Sequence, residues 1–180
     1  MEFIKTAFQG LYVIQFNKRT DLRGSFTKVF QRDHFETKGI PCRFAESYYS
    51  SSVKNVIRGM HFQMPPFDHY KLVYPVTGKV LDVVLDLRIH SDTYLECFSF
   101  ELSVDKSNGI YIPKGMAHGF LTLSNESTLV YNTSTVYSPQ HDTGILWNSI
   151  QFEWRVDHPV ISERDKNFIS LQEFKTPFYL

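Results

Sequence analysis

His61 and Lys71, ten positions apart in the stretch 56–88, are the residues whose types and spacing first suggest chemistry. An imidazole with an ordinary pKa near 6.5 can take up a proton at neutral pH, so His61 is a candidate general base. A lysine ammonium close by can hold negative charge as it develops, which makes Lys71 its electrostatic partner. The two lie on alternating segments joined by a turn through Pro65 and Pro66. Past Gly78 the alternation is regular. Leu81, Val83, Leu85 and Leu87 share one parity and are expected to face a core. Val80, Asp82, Val84, Asp86 and Arg88 share the other and are expected to line something wetter.

The elements that must position this pair are mostly short strands. Apolar and β-branched alternation predicts strands over 11–16, 25–30, 44–52, 98–104, 110–112 and 129–137. In the last of these, Leu129, Tyr131, Thr133, Thr135 and Tyr137 share a face. Asp21 to Gly24 reads as a turn, and Asn108–Gly109 as a hairpin signal. One or two helical turns are expected over 32–38, closed by Gly39; otherwise only the segment after Ser162 reads as helical. Strands at this spacing, with no linker or repeat, imply one all-β domain over 1–180: a β-sandwich or barrel with a few short helices.

Bulk properties exclude several classes. The 19 basic and 19 acidic residues cancel, and no like-charge run stands out, so nucleic acid and membrane surfaces are not expected partners. Cys42 and Cys97 are too few and too scattered for a disulfide framework and read as reduced thiols. No apolar run reaches membrane-spanning length, and the N-terminus lacks a signal-peptide pattern, so a soluble, cytoplasmic protein is expected.

Pro113-Lys-Gly115-Met-Ala-His118 resembles the second half of the cupin double motif, in which a PxG turn sets a histidine at a barrel mouth. The first half normally carries HxH, then Glu, then Gly seven residues later. Here Gly78 is in place, but Lys71 stands where the Glu would be, and no HxH precedes it. A protonated lysine has no lone pair to give a metal. His61, His69 and His118 could be argued as three imidazole ligands, but an ammonium among them counts against it. No metal and no other cofactor is expected.

Longer motifs carry a more specific resemblance. Asp21-x-Arg23-Gly24-x-Phe26, Arg58-Gly59-Met60-His61-Phe62-Gln63 with Pro65–Pro66, Lys71-Leu72-Val73 and the segment 82–88 are similar to the dTDP-4-dehydrorhamnose 3,5-epimerases. So are Ile112-Pro113-x-Gly115-x-Ala117-His118-Gly119-Phe120, Tyr137-x-Pro139, Gly144-Ile145-x-Trp147-Asn148 and Ser162-x-x-Asp165. The resemblance implies a jelly-roll cupin, a homodimer, and a nucleotide diphosphate 4-keto-6-deoxy sugar as substrate. It assigns His61 as base, Asp165 as the carboxylate orienting it, Tyr131 as the acid on the far face and Lys71 as the enolate's partner. Arg23, Phe26, Glu46, Tyr48, Arg58, Gln63, His118, Tyr137 and Asp142 would bind substrate. Taken alone, Ser162-x-x-Asp165 reads as a capping box opening a short helix, which competes with the catalytic role for Asp165.

Departures from the family pattern cluster at one end. Lys28 stands where Glu is usual, and Glu46 and Tyr48 stand where Gln and Asn are usual. In the family these segments border the nucleotide. Asp142, Ser149, Arg155 and Arg164 replace a usual Glu, Asp, Pro and Lys. The pattern fits a relative acting on another nucleotide, another 4-keto sugar, or one carbon only, and a non-catalytic sugar-binding module is the alternative from another class.

Overall fold

The computed structural model describes residues 1–180. Two antiparallel sheets hold the chain. The six-stranded sheet runs β1 (Glu2–Lys5), β2 (Tyr12–Gln15), β10 (Asn108–Ile112), β7 (Lys71–Thr77), β12 (Glu126–Thr133) and β5 (Glu46–Val53). The five-stranded sheet runs β13 (Asp142–Gly144), β6 (Ile57–Gln63), β11 (Met116–Thr122), β8 (Lys79–Asp86) and β9 (Cys97–Ser103). β3 (Lys18–Asp21) and β4 (Gly24–Thr27) form a separate hairpin, with Leu22 and Arg23 at its turn. Two short helices complete the chain: α1 (Arg32–Glu36) and α2 (Glu163–Lys166). Neither is long and apolar enough to cross a membrane.

The strands from β5 to β8, and again from β9 to β12, change sheet at every connection. His61 and Lys71 therefore end up on opposite sheets, although the chain joins them in ten residues. Gly78 makes the β7–β8 corner possible. Its φ is +68°, and a Cβ there would lie 2.1 Å from the carbonyl oxygen of Glu126, so no other residue fits without moving the backbone.

The space between the sheets is filled from both sides, by Val73, Ile110 and Leu129 of one and Val80, Val84, Leu102 and Phe120 of the other. β8 departs from its expected reading here. The parity that begins at Leu81 does face a core, but not the one between the sheets: Val83, Leu85 and Leu87 pack outward against Ile145, Trp154 and Phe178 of the C-terminal segment. The mixed parity is not wet either. Asp82 and Asp86 are 1% and 0% exposed, and each carboxylate has a buried hydrogen-bonding partner. Asp86 accepts from Arg88 Nε at 2.9 Å and Nη2 at 2.8 Å, and from Ser91 and Thr93 hydroxyls. Asp82 Oδ2 lies 2.8 Å from His118 Nε2.

Other boundaries shift for identifiable reasons. Asn108–Gly109 is not a hairpin turn: β9 and β10 belong to different sheets, and the two residues open β10. Asn108 instead ties the crossover down, accepting from the Ser103 amide at 2.9 Å and donating to the Glu101 carbonyl at 3.0 Å. β12 ends at Thr133, not 137, and β4 ends at Thr27, not 30. Helix after Ser162 lasts four residues, with Asn167 capping it.

Candidate active site

A cavity of about 330 Å³ opens between the sheets. One wall is built from the five-stranded sheet: Arg58, His61 and Gln63 of β6, His118 of β11 and Asp142 of β13. The facing wall comes from the six-stranded sheet: Lys71 of β7, Tyr131 and Thr133 of β12, and Glu46, Tyr48 and Ser50 of β5. Strand register brings the groups together. His61 is paired with His118 across β6 and β11, Lys71 with Thr133 across β7 and β12, and Tyr131 with Tyr48 across β12 and β5.

Asp165 lies behind His61, its Oδ1 2.9 Å from Nε2. Its Oδ2 accepts the Gly59 amide at 3.1 Å, while its own amide donates to Ser162 Oγ at 3.1 Å. Cap and dyad are thus compatible. Ser162 makes its half of the capping box, and the Asp165 side chain turns to His61 instead of reaching back to the cap. Gly59 permits this approach. Its φ is +146°, and a Cβ there would lie 2.6 Å from Gly119 Cα, so β6 and β11 meet glycine to glycine beside the two histidines.

Burial pushes Asp165 up, but the hydrogen bond and charge of His61, with the Gly59 amide, outweigh it and hold the carboxyl below its ordinary value. An ionised carboxylate only accepts, so His61 donates from Nε2 and keeps its lone pair on Nδ1. Burial lowers the His61 pKa, against the opposing pull of Asp165; Lys71 and Arg164 lower it further. The imidazole is therefore neutral at neutral pH, with a ring lone pair able to take a proton. The 29% of its side chain that remains exposed belongs to a cavity-lining residue. Phe168 meets its ring edge-on at 5.6 Å. Arg164 lies over Phe168 at 5.2 Å and pairs with Asp142.

Lys71 is buried, donating from Nζ to the His61 carbonyl at 3.1 Å. Burial brings its pKa down to about 8, with Asp142 and Asp82 pulling the other way. Tyr131 is buried too, its hydroxyl 3.2 Å from Ser50 Oγ and its ring edge-on to His118 at 6.2 Å. Burial raises that phenol well above its ordinary pKa, so it is a protonated donor at neutral pH. A neutral base on one wall thus faces an acid and an ammonium on the other.

Of the remaining residues singled out from sequence, Glu46, Tyr48, Arg58, Gln63, His118, Tyr137 and Asp142 line the cavity. Arg58 is steadied by Ser52 Oγ at 2.9 Å and the Ser51 carbonyl at 3.1 Å. Glu46 accepts the Tyr137 amide, and Gln63 accepts the Ser138 amide at 2.6 Å. Arg23 and Phe26 do not join them. Both sit on the β3–β4 hairpin, Arg23 paired with Asp21 and 90% exposed, Phe26 62% exposed, and neither lines this cavity. The sequence pattern also passed over Asp82, Ser50 and Arg164 as site residues. Asp82 had a signal, a carboxylate on the parity opposite the apolar one; the other two gained significance only through partners far along the chain.

The donor set does not gather around one point. No three His, Cys, Asp or Glu side chains converge in a way that could hold a metal ion. His61 and His118 each commit Nε2 to a carboxylate.

Sheets, crossovers and cavity define a jelly-roll protein of the cupin class. The family model for dTDP-4-dehydrorhamnose 3,5-epimerase matches residues 5–173, and the chain belongs to that family. It is 40% identical to a dTDP-4-dehydrorhamnose 3,5-epimerase of Methanothermobacter thermautotrophicus, over 99% of this chain and 97% of that one. It is 36% identical to a dTDP-4-dehydrorhamnose 3-epimerase of Streptomyces niveus, over 92% and 81%. Among solved structures it resembles the dTDP-6-deoxy-D-glucose-3,5-epimerase of Legionella pneumophila in complex with dTDP-4-keto-L-rhamnose. That match has a TM-score of 0.93 and 31% identity, over 99% of this chain and 98% of the other.

Proposed function

We propose that this chain inverts C3 and C5 of a dTDP-linked 4-keto-6-deoxyhexose by proton abstraction and reprotonation through an enolate. The observation that carries the reading is the opposition of His61–Asp165 on one sheet to Lys71 and Tyr131 on the other. C3 and C5 flank one carbonyl, and their protons are acidic only through it. In the gluco configuration both protons are axial on the same face, so one base can reach each in turn. His61 Nδ1 takes the proton, and Asp165 stabilises the imidazolium that results. The electron pair moves to O4, where the Lys71 ammonium compensates the charge. Tyr131 returns a proton from the opposite face, which inverts the carbon. Arg58, whose fork is already oriented by Ser51 and Ser52, suits the diphosphate. The acidity comes from the substrate's own carbonyl, so the step needs no cofactor.

The direct test is an NMR time course with dTDP-4-keto-6-deoxyglucose in deuterated buffer. Deuterium entering C3 and C5 with inversion supports the reading; no exchange with this or a UDP- or GDP-linked analogue overturns it. The second reading, inversion at C3 alone, is favoured by the similarity to the Streptomyces niveus 3-epimerase, and the same time course separates the two.

We further propose a homodimer in which the β3–β4 hairpin completes the partner's cavity. Leu22, Arg23 and Phe26 are exposed and serve no wall of their own site. Light scattering at micromolar concentration should give a dimer. Arg23→Ala with Phe26→Ala should raise KM about tenfold or more while leaving the His61–Asp165 chemistry intact. A monomer with full activity would refute it.

A further inference from the structure

We propose that Tyr48 is a positioning residue for Tyr131, and that its ring sets how often a proton removed by His61 is replaced with inversion. The inference rests on the epimerase reading above and adds to it a residue that acts through another.

Tyr131 projects from β12 and can swing about two side-chain torsions, yet its hydroxyl has a single hydrogen bond, to Ser50 Oγ at 3.2 Å. One bond at the tip fixes the hydroxyl but not the tilt of the ring about it, which the neighbours packed against the ring must set. Two of those neighbours are rings. His118 meets Tyr131 edge-on at 6.2 Å, and Tyr48 lies nearly parallel to it, centroids 4.9 Å apart and planes 14° apart. Tyr48 is directly opposite Tyr131 in the β5–β12 register, so the stack is built into strand pairing. β5 is an edge strand with no neighbour beyond, and Tyr48 keeps 43% of its surface exposed. Its hydroxyl sits near Glu46 and Asp142, and burial, ahead of those charges, pushes its pKa to about 12, so it stays a neutral aromatic partner.

Such a stack contributes enough to matter for geometry. Parallel aromatic pairs add roughly 0.5–1.5 kcal/mol beyond area burial, which near its upper end corresponds to about tenfold in the population of the aligned ring. When Tyr131 is out of line, the enolate is reprotonated from the His61 side. The carbon then exchanges its proton for solvent deuterium but keeps its configuration. Losing the stack therefore changes the ratio of inversion to exchange, and leaves abstraction by His61 largely as it was.

The experiment measures that ratio at C3 and C5 by NMR in deuterated buffer, with dTDP-4-keto-6-deoxyglucose, for wild type, Tyr48→Leu and Tyr48→Phe. Tyr48→Leu should lower inversion per exchange about tenfold at a centre that depends on Tyr131, whereas any loss of substrate binding from this cavity-lining position depresses exchange and inversion alike and leaves their ratio as it was. Tyr48→Phe keeps the ring and should keep the ratio of inversion to exchange within about twofold of wild type. In a Tyr131→Phe background, Tyr48→Leu should add nothing. The proposal is overturned if Tyr48→Leu leaves the ratio unchanged, whether activity is intact or uniformly depressed. It is equally overturned if Tyr48→Phe lowers the ratio as much as Tyr48→Leu, because the hydroxyl and not the stack would then be responsible. A wild-type protein that exchanges no substrate fails the epimerase reading itself, and the positioning role goes with it.

Discussion

His61→Ala is expected to lose both deuterium exchange and inversion at C3 and C5, by roughly 10²–10⁴-fold, the usual contribution of a positioned acid–base group. Tyr131→Phe should fail differently. It keeps the ring, its stack on Tyr48 and its edge contact with His118, and deletes only the hydroxyl. The enolate still forms and is reprotonated from the original face or by water, so exchange continues while inversion slows. Asp165→Asn should lie between the two. The amide can still occupy the space behind His61, but it no longer supplies the charge that fixes the Nε2–H tautomer and stabilises the imidazolium. An NMR time course in deuterated buffer for each variant distinguishes them. If Tyr131→Phe abolishes exchange as fully as His61→Ala, or if His61→Ala exchanges at the wild-type rate, the division of labour is wrong.

The ingredients of this site were legible in sequence to different depths, for physical reasons. His61, Lys71 and His118 sit in short motifs whose strand alternation and turn glycines fix which way each side chain points. Tyr131 could be placed by its parity with Leu129 and Thr133, because β12 is regular as far as Thr133. Asp165 was harder, since its partner is 104 residues away and its local pattern describes only the cap. The structure needs both readings at once, the cap from Ser162 and the carboxylate for His61. Alternation also left unresolved what covers a face. The outward side of β8 packs under the C-terminal segment, which forms almost no regular structure and so has no periodic signature. Asn108–Gly109 gives a false hairpin signal because the crossover turn falls just before it, at 104–107, and the two residues already pair with β2 as the start of β10. Arg23 and Phe26 rest on the motif alone, and the β3–β4 hairpin holds both away from the cavity of their own chain.

Lys71 should be a residue whose removal costs activity while adding stability. A buried ammonium is expensive to desolvate, and burial lowers its pKa to about 8 from the ordinary 10.5. The folded protein holds this proton less tightly than the unfolded chain does. Between about pH 8 and 10.5 the unfolded state therefore binds more protons, and this group's contribution to stability rises with pH. Below about pH 8 the full penalty of the buried charge is present, on the order of 3 kcal/mol. Lys71→Met, of similar length and no charge, should accordingly melt higher than wild type at pH 7, with the difference shrinking toward pH 10.5. Activity should go the other way. Without a cation for the enolate oxygen, kcat should fall by about 10²–10³-fold, the usual loss when one such preorganised electrostatic group is removed. In wild type, kcat/KM should fall on the acid side as His61 gains a proton, below the ordinary imidazole value because burial lowers it. It should fall again above about pH 8 as Lys71 loses its proton. Lys71→Arg stays charged throughout that range, so the alkaline limb should vanish even if the maximum is reduced by imperfect fit. Thermal melts and pH–rate profiles of the three proteins decide the matter. A Lys71→Met variant that melts lower than wild type at pH 7, or an alkaline limb that survives in Lys71→Arg, would show that the buried ammonium is not the group responsible.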